Sequence, residues 1–239
     1  EWATAQKADR IITVSHAMQE DLAKHGWPKS KISVVWNGVD PERYSPKNCK
    51  PEEVEAIRNR YGIKPEENMI LFLGRLTWVK GVTNLVQAMP MILKEHPKTK
   101  LVILGKGEQQ SDILETANRL GIGNKIACKF EFVPEKERIL HYAAADVCIF
   151  PSTYEPFGIV SLEAMSMGKP IVVGAQGVVG FREQAVPFGP DQNGVHVDGE
   201  NPADIAWGMK EVLCNPDRAK SWGENGRKRV LQYFTWEKV

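Results

Sequence analysis

Short apolar runs and helical periods alternate along this chain. Residues 11–14, 32–35, 69–73, 101–104, 126–130, 147–150 and 171–173 are nearly continuous in apolar, often β-branched side chains. Continuous rather than alternating runs of this length suit strands covered on both faces. Between them, residues 17–25, 52–61, 82–95, 109–120, 135–145, 159–167 and 202–214 carry helical spacing, and 217–234 reads as a last helix. Strand–helix alternation of this kind predicts an α/β fold built on a Rossmann-like, doubly wound parallel sheet. No internal repeat or low-complexity segment interrupts it.

One break in the pattern stands out. Residues 37–51 hold an Asn-Gly step, several prolines and few apolar positions, the composition of a loop or hinge. Only two short strands and one helix precede it, too little for a domain, whereas enough units follow for a full sheet. The expected division is therefore 1–36, the end of a preceding domain and its linker, and 37–239, the principal domain.

Composition narrows the function classes. In 239 residues, 31 basic and 30 acidic side chains leave a net charge of +1, which argues against a nucleic-acid partner. At 42% apolar and 26% charged the chain is an ordinary globular one. No apolar run reaches the ~18 residues of a membrane span, although a peripheral membrane contact stays open. The opening residues lack a signal-peptide layout. Cys49, Cys128, Cys148 and Cys214 form no CxxC pair and no zinc spacing, and Cys128 and Cys148 fall in strand-like runs. Buried, reduced thiols are the expectation, and with them a cytoplasmic location.

The strongest chemistry lies in Pro151-Ser-Thr-Tyr-Glu155-Pro-Phe-Gly158-Ile-Val-Ser-Leu-Glu163-Ala-Met165. A strand ends, a loop follows and a helix opens near Gly158. Pro156 biases Glu155 toward an extended conformation just outside the helix, while Glu163 falls roughly 7 Å along its axis. Between the two carboxylates, the backbone N–H groups of Gly158, Ile159 and Val160 form a ready anion site at the carboxyl edge of the sheet. A diphosphate flanked by a diol at each end, as in a sugar nucleotide, would satisfy all three parts. The plainer alternative is a solvated helix start with two surface carboxylates, but a carboxylate without a partner in the apolar stretch around Glu163 would be costly.

Gly74-Arg75-Leu-Thr-Trp-Val-Lys80-Gly81 follows directly after a strand. Lys80 precedes a helix, where the dipole disfavours a cation unless an anion is bound. Arg75 offers a fork for phosphate oxygens and Lys80 a point charge. Leu104-Gly105-Lys-Gly107-Glu108 has Gln110 where a dinucleotide fingerprint needs glycine, so an NAD site is excluded and only a tight strand-to-helix turn remains. Ala164-Met-Ser166-Met-Gly168 runs helix-to-strand, the reverse of a nucleophile elbow. No Asp-x-Asp pair, HExxH or P-loop is present, so no metal and no cofactor are expected, and His141 reads as a packing residue.

These residues resemble a known family. The two glutamates of Glu155-Pro-Phe-Gly-Ile-Val-Ser-Leu-Glu163 look like the EX7E motif of retaining GT-B glycosyltransferases of family four, with glycogen-synthase-type enzymes related. Ala8-Asp9-Arg-Ile-Ile-Thr-Val-Ser15, Asn37-Gly-Val-Asp40, Gly74-Arg75 with Lys80-Gly81, and Ala145-Asp146-Val with Pro151-Ser152 support it in order along the chain. The resemblance implies the C-terminal, donor-binding half of a GT-B fold, with an N-terminal acceptor domain as its partner. It implies that Arg75 and Lys80 hold the diphosphate and, with Glu155, form the catalytic group. Glu163 would bind the ribose hydroxyls and Glu155 the donor sugar. Gly74, Gly105, Phe132, Val133, Phe157, Gly158, Ile159 and Val160 would line the nucleotide-sugar site.

The donor would be a UDP-, ADP- or GDP-sugar bound without metal, its charge met by side chains and helix amides. Two departures leave base and sugar open: Val179-Gly180-Phe-Arg-Glu183 keeps only one of two expected glycines, and Glu131 stands where the nucleobase loop often has glycine. A sugar-nucleotide-binding module without transfer activity, and a GT-B fold used for epimerisation, are the alternatives. By itself the chain is expected to bind donor without turning it over.

Overall fold

The computed structural model describes residues 2–239. Among the described residues ten α-helices and ten strands follow in order: α1 (Trp2–Lys7), β1 (Ile11–Thr13), α2 (His16–Lys24), β2 (Ile32–Val34), α3 (Pro51–Arg60), β3 (Asn68–Leu73), α4 (Val82–Glu95), β4 (Thr99–Leu104), α5 (Gln110–Arg119), β5 (Ile126–Lys129), α6 (Glu135–Ala144), β6 (Val147–Phe150), β7 (Tyr154–Glu155), α7 (Ile159–Ser166), β8 (Ile171–Gly174), β9 (Val178–Val179), α8 (Phe181–Gln184), β10 (Gly194–Val197), α9 (Pro202–Leu213) and α10 (Pro216–Tyr233). Six strands form one sheet in the order β10-β8-β6-β3-β4-β5, every neighbouring pair parallel.

The strand period explains how one sheet serves two cores. Met69, Leu71 and Leu73 of β3 enter one buried cluster, with Ile57 of α3, Tyr142 of α6, Leu162 of α7 and Val230 of α10. Their alternate neighbours Ile70 and Phe72 enter the other, with Leu85 and Met89 of α4, Ile113 of α5 and Ile205 of α9. Residues of a strand that are covered on both faces must all be apolar, which is why β3, β4, β6 and β8 read as continuous runs. Each fully buried Leu, Ile or Phe contributes about 1.5–3 kcal/mol.

Helix starts are marked by side chains in several places. Ser15 accepts from Met18 N at 3.1 Å ahead of α2, Asn201 from Ala203 N at 3.0 Å ahead of α9, and Asn215 from Arg218 N at 2.9 Å ahead of α10. Such caps satisfy first-turn N–H groups that have no partner inside the helix.

Elsewhere the structure extends the sequence reading. Strand β10, the sheet edge beside β8, opens on glycine and carries His196, so its apolar signal is weak. The two-residue strands β7 and β9 and the helices α1 and α8 are too short for periodicity to reveal. The β1–β2 pair forms a separate parallel sheet before the 37–51 segment. That segment is pinned by Val39 N donating to Phe234 O at 2.8 Å, and its Asn-Gly step admits Trp236, whose backbone a Cβ on Gly38 would strike. Asp146 has a structural post: its Oδ2 accepts from Met69 N at 2.6 Å and from Arg58 at 3.1 Å.

All four cysteines are free, and only Cys148 is fully buried, so Cys128 falls short of the burial expected for it. Burial pushes the Cys148 thiol up to about 12 and the Cys128 thiol up to about 11. His141 is a packing residue: buried, its ring pairs with Tyr61 Oη at 2.8 Å and Glu137 O at 2.7 Å.

Candidate functional site

A cleft of about 570 Å³ lies beyond the carboxyl ends of β3, β4 and β6, where the sheet order passes between its two halves. Open parallel sheets place their ligands at such a point. Its floor is main chain. Gly105, at φ 140°, meets the Gly74 carbonyl so closely that a Cβ would overlap it, and Gly107 sits equally tight on Leu76. The loops after β3 and β4 are laced together by Leu76 N donating to Lys106 O at 2.7 Å and Gln109 N to Leu76 O at 3.0 Å.

Gly74, Arg75 and Lys80 all line the cleft. Arg75 is exposed and makes no ion pair among the described residues. Lys80 sits on the single turn Trp78–Lys80, and Gly81 behind it, at φ 67°, is both the end of that turn and the cap of α4. A Cβ on Gly81 would strike the Pro151 carbonyl, so this glycine draws Lys80 against the loop after β6. There the ammonium pairs with Glu155, both side chains largely withdrawn from solvent.

Glu155 is held by its backbone. It belongs to β7, pairs with Val179 of β9, and accepts from Gly180 N at 2.7 Å. Next along the chain, Pro156, Phe157, Gly158, Ile159 and Val160 all line the cleft. Gly158, at φ 87°, caps α7 with no side-chain hydrogen bond, so the first-turn N–H groups face the cleft unclaimed by any cap. Packing dictates the glycine: a Cβ there would run into the Phe181 ring. Uncapped amides, an arginine and a lysine converge on one volume, which is the electrostatic signature of an anion site.

Glu163 departs from its expected place. It is 5% exposed and does not reach the cleft wall. Tyr44 Oη donates to its Oε1 at 2.8 Å, and Tyr142 Oη donates to its Oε2 at 2.8 Å. Burial and the Glu163 charge push both phenols well above their ordinary range, so both remain donors. The side chain that does reach the wall is Arg138, whose Nη2 donates to Tyr44 Oη at 2.9 Å and lies 3.6 Å from Glu163. Its buried Nε has no partner. The costly lone carboxylate inferred from the apolar stretch thus has internal partners. On α6, Glu135, Arg138 and Tyr142 recur at three- and four-residue spacing, so they share a face; that spacing is the signal by which Arg138 could have been found.

Glu183 also turns away from the cleft. Its carboxylate accepts from His16 Nδ1 at 2.9 Å, Ala17 N at 3.0 Å and Trp36 Nε1 at 2.9 Å. Burial alone would raise its pKa; the hydrogen bonds from Ala17, His16 and Trp36 outweigh it and hold the carboxyl below its ordinary value. One side chain on α8 thereby ties down the start of α2 and the end of the 32–36 segment. Val14 and Asn37, at the margins of those segments, lie on the cleft wall; both stand in stretches that carry the family resemblance, though neither is among the site residues it implies.

The opposite end of the cleft, past β4 and β5, carries Gly105, Lys106, Glu131, Phe132 and Val133. Val133 is buried and Phe132 is 74% exposed. Among the described residues no group of three His, Cys, Asp or Glu side chains could hold a metal ion, and no helix is long and apolar enough to cross a membrane.

Comparison with known proteins bears on the family and the fold. Residues 53–229 match the family of glycosyl transferases group 1, and residues 1–43 match glycosyltransferase family 4. An uncharacterized glycosyltransferase of Methanocaldococcus jannaschii is 35% identical over 240 residues, covering 100% of this chain and 60% of that protein. Glycogen synthase of Mycobacterium tuberculosis is 32% identical over 240 residues, covering 98% of this chain and 52% of that protein. The chain thus spans little more than half the length of these relatives. Among solved structures, Anabaena HepE in complex with UDP and glucose superposes with a TM-score of 0.84 at 24% identity, over 95% of this chain and 60% of that one. A parallel six-stranded sheet flanked by helices, this likeness to a GT-B structure and a family match across most of the sequence lead to one conclusion: the chain belongs to the glycosyl transferases group 1 family.

Proposed function

We propose that this chain is the donor-binding portion of a retaining glycosyltransferase that takes its sugar from a nucleoside diphosphate. The observation that carries this reading is the convergence of Arg75, Lys80, Glu155 and the uncapped start of α7 on one cleft. The diphosphate rests on the amides of Gly158, Ile159 and Val160, with Arg75 and Lys80 against its outer oxygens. As the bond between the sugar and the β-phosphate breaks, the electron pair goes to the phosphate. Two cations and oriented N–H groups stabilise that growing charge better than water would.

The Lys80–Glu155 pair gives the site a resting state. A bound diphosphate competes for the ammonium, and release from Lys80 frees the carboxylate to accept hydroxyl hydrogens of the donor sugar. Attack on the same face of the sugar retains its configuration, and Glu155 lies at that end of the cleft. Glu163 serves the nucleoside end indirectly, by anchoring Tyr44 and Arg138 behind it.

Titration calorimetry with UDP-, ADP- and GDP-glucose tests this reading. At least one is expected to bind, and Lys80→Ala is expected to weaken that binding at least tenfold, about 1.4 kcal/mol. Donor binding that is indifferent to both Lys80→Ala and Arg75→Ala would overturn the assignment.

A further inference from the structure

The two ends of the cleft differ in chemistry. Arg75, Lys80, Glu155 and the start of α7 stand beyond β3 and β6, whereas Lys106, Glu131, Phe132 and Val133 stand beyond β4 and β5 on the far side of the sheet. If the diphosphate lies over α7 and the sugar at Glu155, the nucleoside extends toward β4 and β5; the inference therefore rests on the donor-binding reading. The polar side chains that wall this end are Lys106, Glu131 and Arg138.

Glu131 is the acceptor among them. Its side chain is 62% exposed, and one oxygen, Oε1, lies 3.1 Å from Lys129 Nζ. That ammonium is shared with Glu137 at 2.8 Å. The second oxygen of Glu131 has no ion-pair partner among the described residues. The carboxylate is therefore oriented from behind and still has acceptor capacity for a ligand.

The four common bases meet such a group very differently. Guanine presents two adjacent donors, N1–H and the N2 amino group, which a carboxylate accepts as a pair. Uracil offers one N–H between two carbonyl oxygens, and both oxygens would face the anion. Adenine and cytosine each offer an amino group beside a ring nitrogen whose lone pair would do the same. Guanine also places its O6 acceptor next to N1–H, on the side where a cation is favourable, and Lys106 and Arg138 supply positive charge at this end. We propose that Glu131 selects guanine, so that the donor is a GDP-sugar.

Calorimetric titration of the chain with GDP, UDP and ADP tests the proposal. GDP is expected to bind at least about tenfold more tightly than either of the others, the discrimination a bidentate contact to a base supplies. In Glu131→Gln the three affinities are expected to fall within about threefold of one another. UDP should bind that variant as well as or better than it binds the unaltered chain, which also shows that the fold is intact. UDP or ADP binding as tightly as GDP, or a GDP preference that survives Glu131→Gln, would overturn the guanine assignment while leaving the donor-binding reading in place. Failure of all three nucleotides to bind would overturn both.

Discussion

Glu155 and Glu163 are separated by a three-residue loop and little more than one turn of helix, and both are buried, yet their surroundings differ in kind. Glu155 faces an ammonium on a short turn at the mouth of the cleft. Glu163 faces two phenols locked inside the core cluster, with a guanidinium beyond them. A cation can be drawn off by an incoming phosphate, whereas a hydroxyl packed in a core cannot. On the donor-binding reading the first carboxylate can therefore change partners, whereas the second is a fixed strut between α6, α7 and the loop holding Tyr44.

The contrast predicts unequal losses of stability on removing each group. Glu163→Ala leaves the buried Tyr142 hydroxyl without an acceptor and Tyr44 and Arg138 with only Glu135 as an acidic partner, and should cost about 3 kcal/mol. For a chain of this length that lowers the melting temperature by roughly 6–12 °C. Glu155→Ala should cost about 1 kcal/mol, because Lys80 can swing into solvent. Equal losses in thermal melts of the two variants would erase the distinction.

Glu183→Ala should fall between them, at about 2 kcal/mol, since three donors lose one acceptor. Denaturant titration would measure it, and Glu183→Gln, which keeps an acceptor oxygen, should recover part of the loss. Lys80→Ala should lower diphosphate affinity at least tenfold by calorimetry and, by leaving the buried Glu155 carboxylate without its counter-charge, also lower the melting temperature by a few degrees.

The smallest effect concerns pH. Burial pushes the protonation of His141 and His196 below the ordinary histidine value. Unfolded, each takes up a proton near pH 6.5, which the folded chain refuses, so stability declines as pH falls from 7 toward 5. The slope is at most about 1.4 kcal/mol per pH unit for each histidine. Urea midpoints at the two pH values measure it, and unchanged midpoints would mean that neither ring is held neutral.

What could be read from sequence divides along physical lines. The central strands were legible because burial on both faces forces every residue to be apolar. Strand β10 was not, because an edge strand tolerates Gly194 and His196. The gathering of Arg75, Lys80, Glu155 and the start of α7 around one cleft was legible because each lies at a strand-to-helix junction. The surroundings of Glu163 were half legible. Its apolar neighbours demanded a partner, but the partners lie 21 and 119 residues away, and only docking of α6 and the Tyr44 loop brings them in. Arg138 escaped for the same reason: it meets Tyr44 across 94 residues of chain. Glu183 points to the linker because its donors stand 147 to 167 residues earlier.

The glycine contacts beneath the cleft bear on how such a protein diversifies. Where Gly105 rests on Gly74 and Gly107 on Leu76, peptide groups touch peptide groups, and no side chain stands between them to be exchanged. The basin is thus shaped by main-chain contacts that mutation can break but not retune. New substrate preferences must arise from the fringe, where residues such as Lys106, Glu131 and Phe132 can be swapped one at a time while the vessel keeps its form.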